Sequence, residues 1–366
     1  MRRGGLEIIT ETENTLNVRE RFRAVNSRND MVLFGGTASR KLAASIAQHL
    51  DHPLGVSFVE HFPDGEINVR LDEVVRGRAV FIVQSTCPPV SENLLELLAF
   101  ADACHRSAAA SITAVLPYFG YARSDKRHGR REPIMASMIA ELVQSVGMTQ
   151  LLTVDLHASQ IEGFFRIPVD NMSALPTLVA RIQPRIPAGT VVVSPDEGRL
   201  RTATEYARRL GTRVVVLHKE RESGSITSVA KVVGDVRGQV CLIIDDLIAT
   251  GGTIAETVQA LLRAGAKPEI YVAATHGLFV DHARQRLTHP AIREILITDS
   301  VPFEPSGWRE VQVVSLAPLL AAAIRRLHEN ESMADLYVRS VGVPSAGFPG
   351  DVPRPDEPHE FAAHAP

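Results

Sequence analysis

A chain of 366 residues that is 45% hydrophobic and 22% charged has the composition of a globular protein, with length for about two domains. Its formal net charge of −3 gives no global pull toward nucleic acid or an anionic membrane, so any anion site has to be local. No apolar run approaches the roughly 18 residues of a membrane span, and no apolar signal core follows Met1. The three cysteines, Cys87, Cys104 and Cys241, are an odd set without metal-like spacing, which fits reduced thiols and a cytoplasmic setting.

Residues 1–29 read as a polar, charge-rich extension. Met31 to Phe34 predicts a strand, Gly35-Gly36-Thr37 a turn, and Ala38 to Leu50 a helix with apolar residues at Leu42, Ile46, Ala47 and Leu50. Val56 to Arg70 alternates and is broken by Pro63-Asp64-Gly65, the pattern of a hairpin. From Ala79 the order is strand, polar loop, helix from Ser91 to His105, and strand from Ile112 to Leu116. A basic loop from Pro117 to Pro133 leads to a helix from Ile134 to Val146 and a strand from Leu151 to Val154, closed by Asp155-Leu156-His157. The strand Val191 to Ser194 runs into Pro195-Asp196-Glu197-Gly198, and Arg213 to Leu217 is another. From Gln239 the earlier order returns: strand, loop, helix to Ala264, and strand from Ile270 to Ala274. A strand from Val311 to Ser315 and a helix from Leu316 to His328 close the compact part, and the Pro-rich segment from 341 onward predicts a disordered tail. Strands alternating with helices predict an α/β protein of two similar domains, each a mainly parallel sheet flanked by helices. The expected divisions are 1–29, 30–172, 173–315, a C-terminal helix 316–340 packing back on the first domain, and the tail.

Val240 to Thr253 carries the clearest chemistry. Its apolar run lacks alternation, as a buried parallel strand does, and places Asp245 and Asp246 at the carboxyl end, where open α/β sheets bind ligands. Thr250-Gly251-Gly252-Thr253 can turn several backbone N–H groups onto one small anion. The following helix opens with a capping-box pattern, Thr253 to Glu256, and aims its positive dipole end at the turn. The expected ligand is a sugar phosphate, with its phosphate in the turn and either ribose hydroxyls or a metal ion on the acids. An ordinary strand-turn-helix with surface acids is the bland alternative.

This stretch resembles the phosphoribosyl pyrophosphate motif of phosphoribosyltransferases and ribose-phosphate pyrophosphokinases. Further segments resemble the pyrophosphokinases in the same order. Phe62-Pro63-Asp64-Gly65-Glu66 is similar to their nucleotide-binding flag, although Pro-Asp-Gly alone is a common turn. Tyr118 to Asp125 is similar to an ATP-contacting loop, which implies ATP contacts for Arg123 and Ser124. The basic residues that follow, Lys126 to Arg131, otherwise read as a solvated loop. Thr153 to Phe165 and Val193 to Asp196 are similar to the metal-associated segments, implying His157 and Asp196 as Mg2+ ligands. His218-Lys219-Glu220-Arg221 is similar to the catalytic flexible loop, implying Lys219 and Arg221 as catalytic cations.

The resemblance implies transfer of the β,γ-pyrophosphoryl group of Mg-ATP to ribose 5-phosphate, a homohexamer with shared ATP sites, and no nucleic-acid or membrane partner. Asp245, Asp246, Ala249 and Thr250 to Thr253 are then the ribose 5-phosphate contacts. Three positions depart from the family pattern: Ser124; Arg199, where the segment after Asp196 usually continues with Gly-Gly; and Ala249, where an acid is usual. A phosphoribosyltransferase, or a non-catalytic regulatory relative that binds nucleotide or sugar phosphate, are the rival readings.

Overall fold

A computed structural model of the chain describes residues 30–127, 129, 131–221, 228–304 and 306–341, so the N-terminal extension and the Pro-rich tail lie outside the described residues. The first half contains β1 (Met31–Gly35), the hairpin strands β2 (Ser57–His61) and β3 (Ile67–Leu71), then β4 (Ala79–Val83), β5 (Ser111–Leu116), β6 (Gln150–Val154) and β7 (Val169–Met172). These form a five-stranded sheet in the order β1-β4-β5-β6-β7, parallel at every pairing, while β2 and β3 pair only with each other. The second half contains β8 (Val191–Ser194), β9 (Val214–Arg221), β10 (Ser228–Val233), β11 (Cys241–Ile248), β12 (Ile270–Gly277), β13 (Ile292–Thr298) and β14 (Val311–Val314). Their order is β10-β9-β8-β11-β12-β13-β14, antiparallel only between β9 and β10.

Alternation along the strands explains why both sheets are apolar throughout. Leu33 of β1 faces a core shared by the two sheets, whereas Val32 and Phe34 face a second core on the outer side of the first sheet. Leu242 and Ile244 of β11 face the shared core, and Cys241 and Ile243 a third core beyond the second sheet. A strand covered on both faces has no polar register to keep, so its sequence reads as a continuous apolar run. Helix Leu175–Ile182 lies in the shared core, as does helix Ala317–Glu329, which packs on helix Arg40–Leu50. Arg325 donates from Nη2 to the His49 carbonyl oxygen at 2.9 Å, and the Tyr337 hydroxyl donates to Asp170 at 2.7 Å, which returns the C-terminal segment to the first sheet.

Several local expectations are corrected. The strand carrying Asp245 and Asp246 runs on to Ile248, because its backbone pairing with β12 continues past both acids to Gly277. The capping box at Thr253 and Glu256 does not form; helix Gly252–Arg263 begins directly after Gly251 in a left-handed turn, with no side-chain cap. Strands β7, β10 and β13 were not expected. In β13 the exposed Arg293 interrupts the apolar run and leaves only Ile295-Leu296-Ile297 as signal.

Leu320 is fully buried in the shared core. Leu320→Ala is expected to cost about 2–5 kcal/mol of unfolding free energy, measured by urea denaturation followed by circular dichroism. A loss below about 1 kcal/mol would contradict the packing of this helix between the sheets.

Candidate functional site

The carboxyl ends of β6, β8 and β11 meet in one pocket of about 420 Å³. Its lining joins His157 and Arg123 from the first half to Asp196, Gly198, Arg199, Asp245 and Ala249 through Thr253 from the second. Asp246 is buried beneath it and lines the adjoining crevice with His157, Tyr118 and His276. The turn after β11 requires glycine: Gly251 has φ 75°, and a Cβ there would lie 2.9 Å from Leu287 Cγ. Arg286 steadies the turn by donating from Nη1 to the Thr250 carbonyl oxygen at 2.9 Å. The first N–H groups of helix Gly252–Arg263 have no partners within the helix, and its N-terminal residues line the pocket, the arrangement that binds phosphate elsewhere.

His157 and Asp246 meet across the two halves. The His157 Nδ1 to Asp246 Oδ2 distance is 2.7 Å. Arg199 Nη2 lies 3.0 Å from the same carboxylate oxygen, 3.1 Å from the His157 carbonyl oxygen and 2.9 Å from His157 Nδ1. A ring nitrogen that donates to Asp246 cannot also accept from arginine, so the two donors share the carboxylate oxygen, and in the neutral ring this is the tautomer that leaves the lone pair on Nε2. Burial by itself raises the Asp246 pKa, but the His157 hydrogen bond and the Arg199 charge outweigh it and bring the carboxyl down to about 2. Burial and the neighbouring Asp246 charge push Asp245 well up instead. The two carboxyls are thus shifted in opposite directions, and the guanidinium faces the one held in its ionised form. Asp196 lies two residues beyond β8 and accepts the Arg199 backbone N–H on Oδ1 at 3.0 Å, which caps the turn Glu197–Arg199 beside the pocket.

Behind His157, Asp155 has a left-handed backbone, φ 42°, and is held from the other half of the chain. Its carboxylate accepts from the Thr275 hydroxyl at 2.6 Å and from the Ala174 N–H at 3.0 Å, and its carbonyl oxygen accepts from His276 Nε2 at 3.2 Å. His276 Nδ1 then accepts from the Ser300 hydroxyl at 2.9 Å. The end of β12 thus positions the segment that carries His157.

Other expected residues lie elsewhere. Phe62, Asp64 and Glu66 are exposed at the tip of the β2–β3 hairpin and do not line this pocket. The Ser124 hydroxyl accepts the Met135 N–H at 3.3 Å, so it serves the start of helix Met135–Ser145. Lys219 and Arg221 occupy alternate positions of β9 where it has left β8 and pairs only with β10; their side chains, and residues 222–227, lie outside the described residues. His218 Nδ1 lies 2.7 Å from Glu197 Oε1, so the base of this ribbon is tied to the turn bearing Asp196 and Arg199. Sequence reasoning noted Arg199 only as a departure and missed Thr275 and His276. The signal for the latter pair was a polar Thr-His-Gly ending on an apolar run.

The family pattern for the N-terminal domain of ribose phosphate pyrophosphokinase matches residues 31–147, and that for the phosphoribosyl synthetase-associated domain matches residues 222–338. A ribose-phosphate pyrophosphokinase of Thermotoga maritima is 44% identical over 312 residues, 84% of this chain and 98% of that protein. One from Caldanaerobacter subterraneus is 43% identical over 84% of this chain and 98% of that protein. The chain belongs to the ribose-phosphate pyrophosphokinase family. A crystal structure of phosphoribosylpyrophosphate synthetase from Mycobacterium smegmatis superposes with a TM-score of 0.78 at 42% identity, covering 82% of this chain and 99% of that one. His157, Asp196 and Arg199 fall between the two matched ribose-phosphate pyrophosphokinase patterns, within the span that these longer similarities cover.

Burial moves the His276 pKa below its ordinary 6.5, against the opposing charges of Asp155 and Asp246. Its neutral ring contributes stability that is complete above 6.5 and is lost as pH falls from there toward the folded value. His276→Gln, which cannot titrate, is expected to flatten the melting temperature between about pH 7.5 and about pH 5 relative to wild type. Parallel curves for the two proteins would refute this role.

Proposed function

We propose that this pocket holds ribose 5-phosphate beside the polyphosphate of Mg-ATP, and that the chain acts as a ribose-phosphate diphosphokinase. The pyrophosphoryl group passes from ATP to the 1-hydroxyl of ribose 5-phosphate, giving phosphoribosyl pyrophosphate and AMP. The observation that carries this reading is the convergence, in one pocket, of the Thr250–Thr253 turn and Asp245 of one half with His157 and Arg123 of the other, above the buried Asp246. A site for sugar phosphate alone needs only the first set.

The residues divide the work by chemistry. Backbone N–H groups of the Gly251-Gly252 turn hold the 5-phosphate, and Asp245 and Asp246 accept from ribose hydroxyls. Arg123 lines the rim and can donate to phosphate oxygens. Lys219 and Arg221, on the ribbon anchored by His218, are the cations expected to reach the transferred group. Transfer of a pyrophosphoryl group asks mainly for alignment and charge neutralisation.

The donor set fits magnesium at His157 and Asp196. The Asp246 hydrogen bond leaves His157 Nε2 as a lone pair, and Oδ2 of Asp196 is separate from the oxygen that holds Arg199. Among the described residues no group of three ligating side chains could hold a metal unaided, which suits an ion that keeps water and phosphate oxygens as ligands. Bound there, Mg2+ would neutralise charge on the phosphate oxygens.

Phe62, Asp64 and Glu66 stand clear of the pocket in one chain. We read them as adenine contacts for a second copy in the homohexamer that the resemblance implies. The same reading divides the chain at 172/173 and places the enzyme in the cytoplasm; no helix among the described residues is long and apolar enough to cross a membrane.

The deciding assay mixes the protein with ATP, Mg2+ and ribose 5-phosphate and follows AMP. Wild type should release AMP only when ribose 5-phosphate is present, and a protein that releases none would refute the assignment. Lys219→Ala is expected to keep the fold and lose about a thousandfold in kcat, since a cation on the transferring group contributes on that order. Near-normal AMP release by that variant would remove Lys219 from the catalytic set.

A further inference from the structure

Arg199 occupies the place in this pocket where a cation would meet the acid pair. It is carried on the short turn Glu197–Arg199, which Asp196 holds through the Arg199 backbone N–H. Its side chain is 16% exposed, and Nη2 reaches Asp246 Oδ2 at 3.0 Å and the His157 carbonyl oxygen at 3.1 Å. Nε lies 3.8 Å from Asp245 Oδ1, so one planar cation spans both acids and the histidine segment. Nη1 has no protein partner among the described residues, and Arg199 lines the pocket.

The neighbouring charges favour arginine over a diffusible ion. A guanidinium does not lose its proton in a protein, so its charge is permanent. Position 249, where the lining turns from the acids to the phosphate turn, is alanine and supplies no further carboxylate. A divalent ion on Asp246 would lie within a few ångströms of the guanidinium, in a partly buried site where like charges repel strongly. The two cations therefore compete for the same oxygen.

We propose that Arg199 is an intrinsic cation of this active site, holding the acid pair in place of a diffusible divalent ion and presenting Nη1 to the phosphate groups of the bound substrates. This rests on the reading of the pocket as the ribose 5-phosphate site. It leaves His157 and Asp196 available to the metal that travels with ATP, and it makes the enzyme need less free divalent ion beyond Mg-ATP.

The test is Mn2+ binding to the full chain without nucleotide, followed by electron paramagnetic resonance and calorimetry. Wild type should show no site that survives His157→Gln and is lost with Asp246→Asn. Arg199→Gln, which keeps the shape and removes the charge, and Arg199→Gly should each gain one Mn2+ site at least tenfold tighter than any in wild type, lost again when Asp246→Asn is added. In turnover, the free Mg2+ giving half-maximal rate should rise at least tenfold in Arg199→Gln and stay near wild type in Arg199→Lys. Equal Mn2+ binding by wild type and folded Arg199→Gln would overturn the proposal. So would a wild-type Mn2+ site that is abolished by Asp246→Asn but kept in His157→Gln, an outcome that does not depend on how the Arg199 variants fold. Because Mn2+ binding needs no turnover, failure here is separate from a failure to release AMP.

Discussion

The contact between His157 and Asp246 is the constraint from which the rest of the site follows. The two residues are 89 positions apart and belong to different sheets, yet the Nδ1 to Oδ2 distance is 2.7 Å. The contact selects the tautomer of the histidine, keeps Asp246 ionised, and fixes how far the two sheet ends stand apart. Such a pair works only if both strand ends are held, because a shift of about 1 Å would turn a charge-assisted hydrogen bond into a buried charge with a poor partner.

Two supports hold those ends. The shared core locks the sheets together: Leu33, Val83 and Leu152 of the first and Leu242, Ile244 and Leu296 of the second bury their side chains in one cluster, with helix Ala317–Glu329 packed among them. Next to the site, Asp155 takes three hydrogen bonds, from Thr275, Ala174 and His276, in a backbone conformation that a residue with a Cβ seldom adopts. Strain of this kind persists where surrounding contacts over-determine it, and here it directs the chain into Leu156 and His157. The acidic and basic parts of the pocket therefore depend on apolar burial elsewhere in the fold.

A pocket proposed to take phosphorylated substrates must manage its own charge first. Asp245 is held toward its neutral form by burial and by its neighbour, Asp246 toward its ionised form by His157 and Arg199. The opposed shifts reduce the negative charge that the pair has to carry, and the arginine sits against the ionised member. Asp196 contributes twice, by fixing that arginine through Oδ1 and by offering its second oxygen to the pocket.

Much of this was legible in the chain alone. Continuous apolar runs ending in acids or a histidine marked the parallel strands and their carboxyl ends, because strands covered on both faces leave no other pattern. The Thr-Gly-Gly-Thr turn was readable because only glycine fits a left-handed backbone beside Leu287. Motif order carried the family. What only the tertiary structure decided were the relations between halves. Sequence could list His157, Asp246 and Arg199 but not that the histidine and the arginine would share one oxygen of the carboxylate. It could not show that the Ser124 hydroxyl also accepts the Met135 N–H at a helix start. It placed Phe62 with the nucleotide, and only the structure shows that this residue is exposed on a hairpin clear of the pocket in one chain. Local pattern is a record of which side of a strand or helix is covered, while the partner of a polar side chain is set by packing between segments far apart in the chain, and that packing is written nowhere in the local pattern.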